Sequence, residues 1–365
     1  MSAVPRVAAV AWLESLRLRR TPTTFTLLIL VPLLQVLLFG YAIRPQPATL
    51  SVAIAAPQRA SVEALAQVLN RDPDVRIVAI GDVGDAVAAV RSGRARLGIE
   101  IPAMRSFAFP DAPVRPIHVV IDTSDASLAV PAEARAQALY WRYVARRARV
   151  ESSEPGITVE RLYNPQARAD WSFIPALVGV TVMIAAIMLG AIGLAREREV
   201  GTWEALLALP TRRWEILAGK TLPFLIIGLA QGVIVLAAGR LLFDLPLRGA
   251  VWALLALLPL YAAAHLVLGQ AIAARAKSQM AALQGAVAFY LPAMLLSGFL
   301  YPREAMPAWA QALGSAFPLT HFIAAARACL LRGADAAAVL SAGAPILAFL
   351  VCATIVALAT GRQID

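Results

Sequence analysis

The sequence predicts an α-helical integral membrane protein of six transmembrane helices, with an α/β extracytoplasmic domain inserted between helices 1 and 2. Three observations predict this. Of 365 residues, 59 % are apolar and 15 % charged, where a soluble domain carries roughly 45–50 % and 25 %. Six apolar runs approach or exceed the roughly 18–20 residues that cross a bilayer. A chain of this length cannot bury such runs in a soluble core. Finally, the basic residues sort to alternate ends of those runs.

The balance of 33 basic and 23 acidic residues, net +10, does not point to nucleic acid. Only Lys220 and Lys277 are lysines, and the arginines flank apolar runs instead of forming a stripe, so the excess reads as topology. Cys329 and Cys352 fall in or beside apolar segments and read as small packing residues, with no disulfide framework. His118, His265 and His321 are scattered, with no metal-ligand spacing.

The first run, Phe25 to Ile43, follows Arg17, Arg19 and Arg20. A signal peptide has the same order, and Gly40 and Ala42 offer a weak cleavage site. The length of the run favours a retained anchor, placed at 24–43. Five further runs follow: Phe173 to Ala195, about Thr221 to Phe243, Val251 to Ala273, Met280 to Leu300 and about Ala337 to Ala359. Pro32, Pro175, Pro223, Pro259, Pro292 and Pro345 lie within or at the ends of these runs, where neighbouring helices can accommodate kinks. Gly228 and Gly232 form a small-xxx-small helix-packing pair.

Arg6, Arg17, Arg19 and Arg20 precede the first run. Arg196, Arg198, Arg212, Arg213 and Lys220 follow the second, Arg275 and Lys277 the fourth, and Arg362 the sixth. These charges fall on one side, and the loop after the third run offers Arg248 alone, so both termini are expected in the cytoplasm.

The opposite side receives residues 44–172, where 16 arginines nearly balance 14 acids. Leu50 to Ala55, Val75 to Ile80, Ala95 to Ile101 and Pro116 to Ile121 are short β-rich runs. Ser61 to Asn70 and Val83 to Ser92 read as helices, the second closed by Gly93, and Pro131 to Val150 as a longer helix. Alternation of the two types implies an α/β or α+β domain. Substrate binding and a structural or partner-docking role are both open for it.

The loop after the second run begins Arg196-Glu-Arg-Glu-Val-Gly-Thr-Trp-Glu. Its alternating charges suit a solvated helix end. Thr202 and Glu204 can start a new turn, Trp203, Leu206 and Leu207 share an arc, and Pro210 stops it. A short amphipathic helix results, which lies on lipid or docks in a groove of a cytoplasmic partner.

This run resembles the signature of ABC-2-type exporter permeases, E-x-E-x-G-T-x-E-x-L-x-x-x-P, through Glu197, Glu199, Gly201, Thr202, Glu204, Leu206 and Pro210. Glu215, Gly219 and Lys220 also fit. Leu18-Arg-Arg-Thr-Pro22, Pro32-Leu-Leu-Gln35 and Phe39-Gly-Tyr41 are similar to the first helix of the large-ectodomain subfamily. Met306-Pro-Ala-Trp309 and Pro318-Leu-Thr-His-Phe322, with Arg327 and Gly333, resemble its segment before the last span. Trp203 departs from the pattern, standing where an aliphatic residue is usual.

The resemblance implies a homo- or heterodimeric permease of the bacterial inner membrane that exports drugs, lipids or other amphiphiles by alternating access. A separate cytoplasmic ATPase would use ATP and Mg, and this chain would bind no cofactor. A periplasmic adaptor and an outer-membrane channel are further implied partners. Residues 1–23, with Ala9, Trp12, Leu13 and Leu16, would form an interfacial connecting helix. The coupling helix would lie within about 196–220, its set comprising Arg196, Glu197, Arg198, Glu199, Gly201, Thr202, Glu204, Leu206, Leu207, Pro210, Glu215 and Lys220.

Gly219-Lys220-Thr221 mimics the end of a phosphate-binding loop, but Trp214 stands where that motif needs its first glycine. Polar residues inside spans mark a candidate substrate path: Gln35, Gln231, His265, Gln270 and Gln284. For His265 an interhelical hydrogen bond is favoured over a proton relay. Between about 303 and 332 two short amphipathic helices are expected at the outer interface. Met306, Pro307, Trp309, Pro318, His321 and Phe322 are candidates there for an outer gate or a simple closure of the bundle. A competing reading is a membrane receptor or assembly scaffold whose ectodomain binds a periplasmic ligand. No catalytic constellation supports an intramembrane enzyme.

Overall fold

The computed structural model describes residues 3–19, 30–37, 50–70, 75–82, 84–101, 117–124, 132–133, 136, 157–166, 168–201 and 212–361. They fall into two compact units: Met1–Ala42 with Phe173–Leu300 and Ala308–Asp365, and Ile43–Ser172 with Tyr301–Pro307.

The first unit is helical. Helix α1 covers Ala3–Arg19, and residues 30–37, the described part of the first apolar run, are also helical (α2). Later in this unit come α5 (Ala169–Glu199, whose first four residues belong to the other unit), α6 (Arg213–Phe243), α7 (Val251–Ala273) and α8 (Gln279–Leu296). Then follow α9 (Ala308–Ser315), α10 (Pro318–Arg327), α11 (Ala336–Ser341) and α12 (Gly343–Gly361).

Among the described residues five helical segments are long and apolar enough to cross a membrane: α5, α6, α7, α8, and α11 with α12 over Ala336–Thr360. They correspond to the second through sixth runs. A bent pair, Ala308–Ser315 and Pro318–Arg332, would add a broken span or re-entrant loop, its halves 91° apart.

Two boundaries differ from expectation. The third run begins as helix at Arg213, not Thr221, because the Glu215 carboxylate accepts the Arg212 backbone N–H at 2.8 Å and caps the helix two turns early. The last run is broken at Ala342.

Small residues set the packing. A Cβ on Gly190 of α5 would run into the Leu266 carbonyl, and one on Gly269 of α7 into the Ile187 carbonyl, so the two backbones touch. Gly228 and Gly232 of α6 lie against Ala262 and Leu258 of α7. Ile187, Ala191, Leu194 and Ala195 of α5 close a core with Ala273 and Ala274 and with Ala282 and Ala286 of α8. Cys329 is buried and Cys352 exposed.

The 303–332 region is less superficial than its amphipathic pattern predicts. Leu319, Phe322, Ile323, Leu330 and Leu331 are buried, and Phe322 and Leu319 fill the space above Gly179. The bend turns α10 and the π-turn Ala328–Arg332 into the helical core, and Trp309 on α9 stays exposed.

The second unit is a five-stranded sheet of order β2-β1-β3-β4-β5. Its strands are β1 (Leu50–Ala55), β2 (Val75–Gly81), β3 (Leu97–Glu100), β4 (Ile117–Asp122) and β5 (Ile157–Leu162). All neighbours are parallel except β3 and β4. Helix α3 (Arg59–Leu69) connects β1 to β2, and α4 (Asp85–Arg91) leads to β3.

Strand alternation places the two helices. Leu50, Val52 and Ile54 pack with Val62, Leu65 and Leu69 of α3, and Ala53 and Ala55 pack with Ala86, Ala89 and Val90 of α4. Both faces of β1 are therefore covered, which is why it reads as a nearly continuous apolar run, interrupted by Ser51 alone. Strand β5 was not anticipated, although Ile157-Thr-Val159 follows Pro155-Gly156 and Asn164-Pro165 ends it. Of the expected helix Pro131 to Val150, the described residues 132, 133 and 136 are helical and the rest lie outside the described residues.

Candidate functional site

Helix α5 has 31 residues, about 46 Å at 1.5 Å per residue, against a hydrocarbon core of about 30 Å. Its C-terminal turns carry the charged run, and three of those four residues bind different helices. Glu197 accepts from Lys220 Nζ of α6 at 3.0 Å. The Arg198 guanidinium donates to the Ala274 carbonyl at the end of α7. Glu199 Oε2 accepts from the Gln279 side-chain amide at 2.7 Å and its backbone N–H at 3.2 Å, at the start of α8. Arg196 is exposed.

Lys220 is the centre of this arrangement. Its ammonium also reaches Glu14 Oε2 of α1 and the Gly193 carbonyl of α5, both at 3.2 Å. Lys220 and Glu197 are each 3 % exposed and Glu14 is 7 % exposed. Two carboxylates and one ammonium from three helices thus share a site almost closed to solvent. A buried carboxylate left without its cation costs about 3–5 kcal/mol, so all three helices are held in place together.

Helix α1 lies along the first turns of α6. Arg6, Val10 and Glu14 are spaced by four and form one stripe on it. Arg6 Nη1 is 3.6 Å from Glu215 Oε2, and Glu14 meets Lys220. Between them Val10 packs against Gly219, where an added Cβ would come within 2.6 Å of the valine. Gly219 is therefore the gap through which α1 approaches α6. Val4 and Trp12 are exposed on the opposite face of α1, and Leu13 on its flank.

These contacts correct one expectation. The alternating charges from Arg196 do not form a wholly solvated helix end, because α5 continues about one turn beyond its apolar stretch, to Glu199, and turns Glu197 inward. The helix stops at Gly201, whose φ of 77° is the left-handed geometry that favours glycine. Thr202, Glu204, Leu206, Leu207 and Pro210 lie outside the described residues. Glu215 is buried and caps α6.

Sequence reasoning missed Glu14. The available signal was its isolation, since no other acidic residue precedes Glu63. A lone acid in a basic amphipathic segment requires a cation from elsewhere.

The candidate path residues occupy separate surroundings. Gln270 Nε2 donates to Thr221 Oγ1 at 3.2 Å. Gln231 is buried in α6, Gln284 is exposed on α8, and Gln35 is half-buried in α2. His265 is fully buried. Its Nδ1 lies 2.9 Å from the Tyr261 carbonyl of its own helix, and Nε2 has no partner among the described residues. The expected interhelical bond comes instead from Tyr261, whose hydroxyl donates to the Gly179 carbonyl at 3.0 Å. The i−4 carbonyl reaches the imidazole first, and Phe289 and Phe349 occupy the neighbouring helices.

Of the candidate gate residues, Phe322 stacks on Tyr261 at 4.5 Å between ring centroids. His321 Nε2 is 2.9 Å from the Ser315 carbonyl, and Pro318 opens α10. Met306 and Pro307 belong to the sheet-containing unit, and the other four to the helical unit. Among the described residues, no group of three His, Cys, Asp or Glu could hold a metal ion.

The model of the ABC-2 family transporter proteins matches residues 22–359. The chain belongs to the ABC-2 transporter family. It is 27 % identical over 322 residues to the "Probable multidrug ABC transporter permease YbhR" of Escherichia coli strain K12, covering 87 % of this chain and 88 % of that protein. To YbhS of the same strain, which carries the same description, it is 26 % identical over 335 residues, covering 90 % and 89 %. The "Inner membrane transport permease YhhJ" of that strain is 30 % identical over 190 residues, half of each chain.

As an ABC-2 permease, the protein is the membrane component of a transporter. Glu197, Glu199, Gly201 and Lys220 fall within the matched region. Arg6, Val10 and Glu14 precede it, so their part in the site is visible only in the structure.

Proposed function

We propose that this permease is the membrane subunit of an ATP-driven exporter in the bacterial inner membrane. Six spans carry an extracytoplasmic domain between the first and second, and both termini are cytoplasmic. The cargo is an amphiphile, a drug or lipid, and the descriptions of YbhR and YbhS as multidrug permeases support that class. A second permease subunit completes the pathway. A separate ABC ATPase supplies the work, and a periplasmic adaptor and an outer-membrane channel extend the route.

One observation carries this reading: the Glu14–Lys220–Glu197 cluster where α5 leaves the bundle and α6 returns to it. The segment about 196–220 receives the motion of the ATPase. The buried ions pass it to α1, α5 and α6 as one body, because displacing any one helix would separate opposite charges out of water. The spans then exchange inward- and outward-facing arrangements, and the resting gate lies near Phe322.

The experiment is co-purification of the tagged permease with a co-expressed ABC ATPase, followed by ATP-dependent export of ethidium from vesicles. The expected result is a stable complex with export. Gly201→Pro, which forbids the left-handed φ of 77°, and Glu204→Arg should keep the protein inserted, permit ATP hydrolysis and abolish export. A permease that recovers no ATPase would instead favour the receptor or scaffold reading.

A further inference from the structure

We infer that Arg96 is a positioning residue by which the extramembrane sheet fixes the connector between α8 and α9. The segment Tyr301–Pro307 joins those helices, yet it belongs to the same compact unit as the sheet. Its short 3₁₀ turn, Arg303–Ala305, presents Glu304. Arg96 Nη2 donates to Glu304 Oε1 at 3.0 Å and Nε to the same oxygen at 3.3 Å.

The arginine is itself rigidly mounted. It stands immediately before β3, where its backbone N–H donates to the Ser51 carbonyl at 2.9 Å and its carbonyl accepts the Asp122 N–H at 2.8 Å. Its Nη1 donates to Asp122 Oδ2 at 2.6 Å, and that carboxylate is fully buried. The planar guanidinium is thus divided between an inner carboxylate, which locks its rotamer, and an outer one on the connector.

A second branch leaves from the same carboxylate. Asp122 Oδ1 accepts the Ser124 N–H at 2.9 Å, and the Ser124 carbonyl accepts the Ser172 hydroxyl at 2.8 Å. Ser172 lies in the first turn of α5. One buried ion pair therefore ties the sheet to the start of one candidate span and to the connector after another. The sheet acts as a frame that keeps these two chain ends in register, and Glu304 is the half-buried terminus of that frame. Its use in export rests on the exporter reading; the anchoring itself does not.

The test uses the full-length permease in nanodiscs. Glu304→Gln keeps the size of the side chain and removes its charge. Hydrogen exchange followed by mass spectrometry should show amides in 301–307 exchanging about fivefold faster, the loss expected for one partly exposed ion pair. The β1 and β3 amides should be unchanged, because the Arg96–Asp122 pair survives. In the complex with its ATPase, Glu304→Gln should hydrolyse ATP normally and export ethidium more slowly, and Glu304→Asp should restore part of the export.

Unchanged exchange in 301–307 would overturn the anchor. Accelerated exchange accompanied by full export would uphold the anchor and overturn its role in transport. If wild-type complex exports nothing while Glu304→Gln still loosens 301–307, the exporter reading fails and the anchor stands.

Discussion

The helical unit holds two buried polar clusters that are built on opposite principles. Around Lys220, full charges from α1, α5 and α6 meet within 3.2 Å, and each helix depends on the others for neutralisation. Around His265, the imidazole bonds to its own helix, and the surroundings are rings: Tyr261 at 4.6 Å, Phe349 at 6.2 Å and Phe289 at 6.3 Å. The first cluster couples helices through Coulomb forces that cannot be released without exposing a charge. The second couples them through dispersion and shape, which tolerate a slide. On the exporter reading proposed above, the first would be the stiff joint where force enters and the second the compliant interior where helices move.

Substitutions can break this contrast, and the largest effect should come from Lys220→Met. It leaves two carboxylates in a site nearly closed to solvent, at a cost of about 3–5 kcal/mol, read as a large drop in the melting temperature of the purified permease. Tyr261→Phe should cost less, roughly 0.6–1.7 kcal/mol in a membrane interior, because it removes one interhelical hydrogen bond and keeps the stack on Phe322. Removal of Arg6 by Arg6→Ala should be milder still, under about 1 kcal/mol, since the 3.6 Å pair with Glu215 has a partly exposed arginine.

The smallest effect is expected for His265→Phe. The imidazole Nε2 has no partner among the described residues and Nδ1 bonds only within its own helix, so a slightly larger apolar ring among Tyr261, Phe289 and Phe349 should leave stability within about 1 kcal/mol of wild type. The same melting experiment checks it. A loss as large as that of Lys220→Met would mean that the interior is also held by specific polar bonds, and the contrast would disappear.

The same physics explains what the sequence made legible. Apolar runs long enough to span lipid announce themselves, so Val251 to Ala273 was delimited correctly from composition alone. The apolar run of β1, Leu50 to Ala55, was equally plain because both of its faces are covered. Boundaries fixed by one capping contact were not legible, and Arg213 is the example: Glu215 reaches back to Arg212, a local bond that leaves no trace in hydropathy.

The candidate site was half visible. Glu197, Glu199 and Lys220 stood out as charges beside apolar runs, but which helices they bind depends on Glu14, 183 positions before Glu197 in the chain. Long-range pairing of that kind is set by tertiary packing, here by the gap at Gly219 that admits Val10. The burial of Phe322 was hidden for a related reason. A 91° bend between two short helices decides which face is inward, and an amphipathic stripe looks the same on a surface helix and on one folded into the core.

Transmission of the stroke through the ion cluster can be checked with a variant that removes charge without stranding it. Glu14→Gln, Glu197→Gln and Lys220→Met together leave no buried ion and should keep the permease folded and bound to its ATPase. ATP hydrolysis and ethidium export are then measured on the same reconstituted complex. Hydrolysis near the wild-type rate with export lost is expected, and a triple variant that exports as well as wild type would rule out the ion cluster as the transmitter.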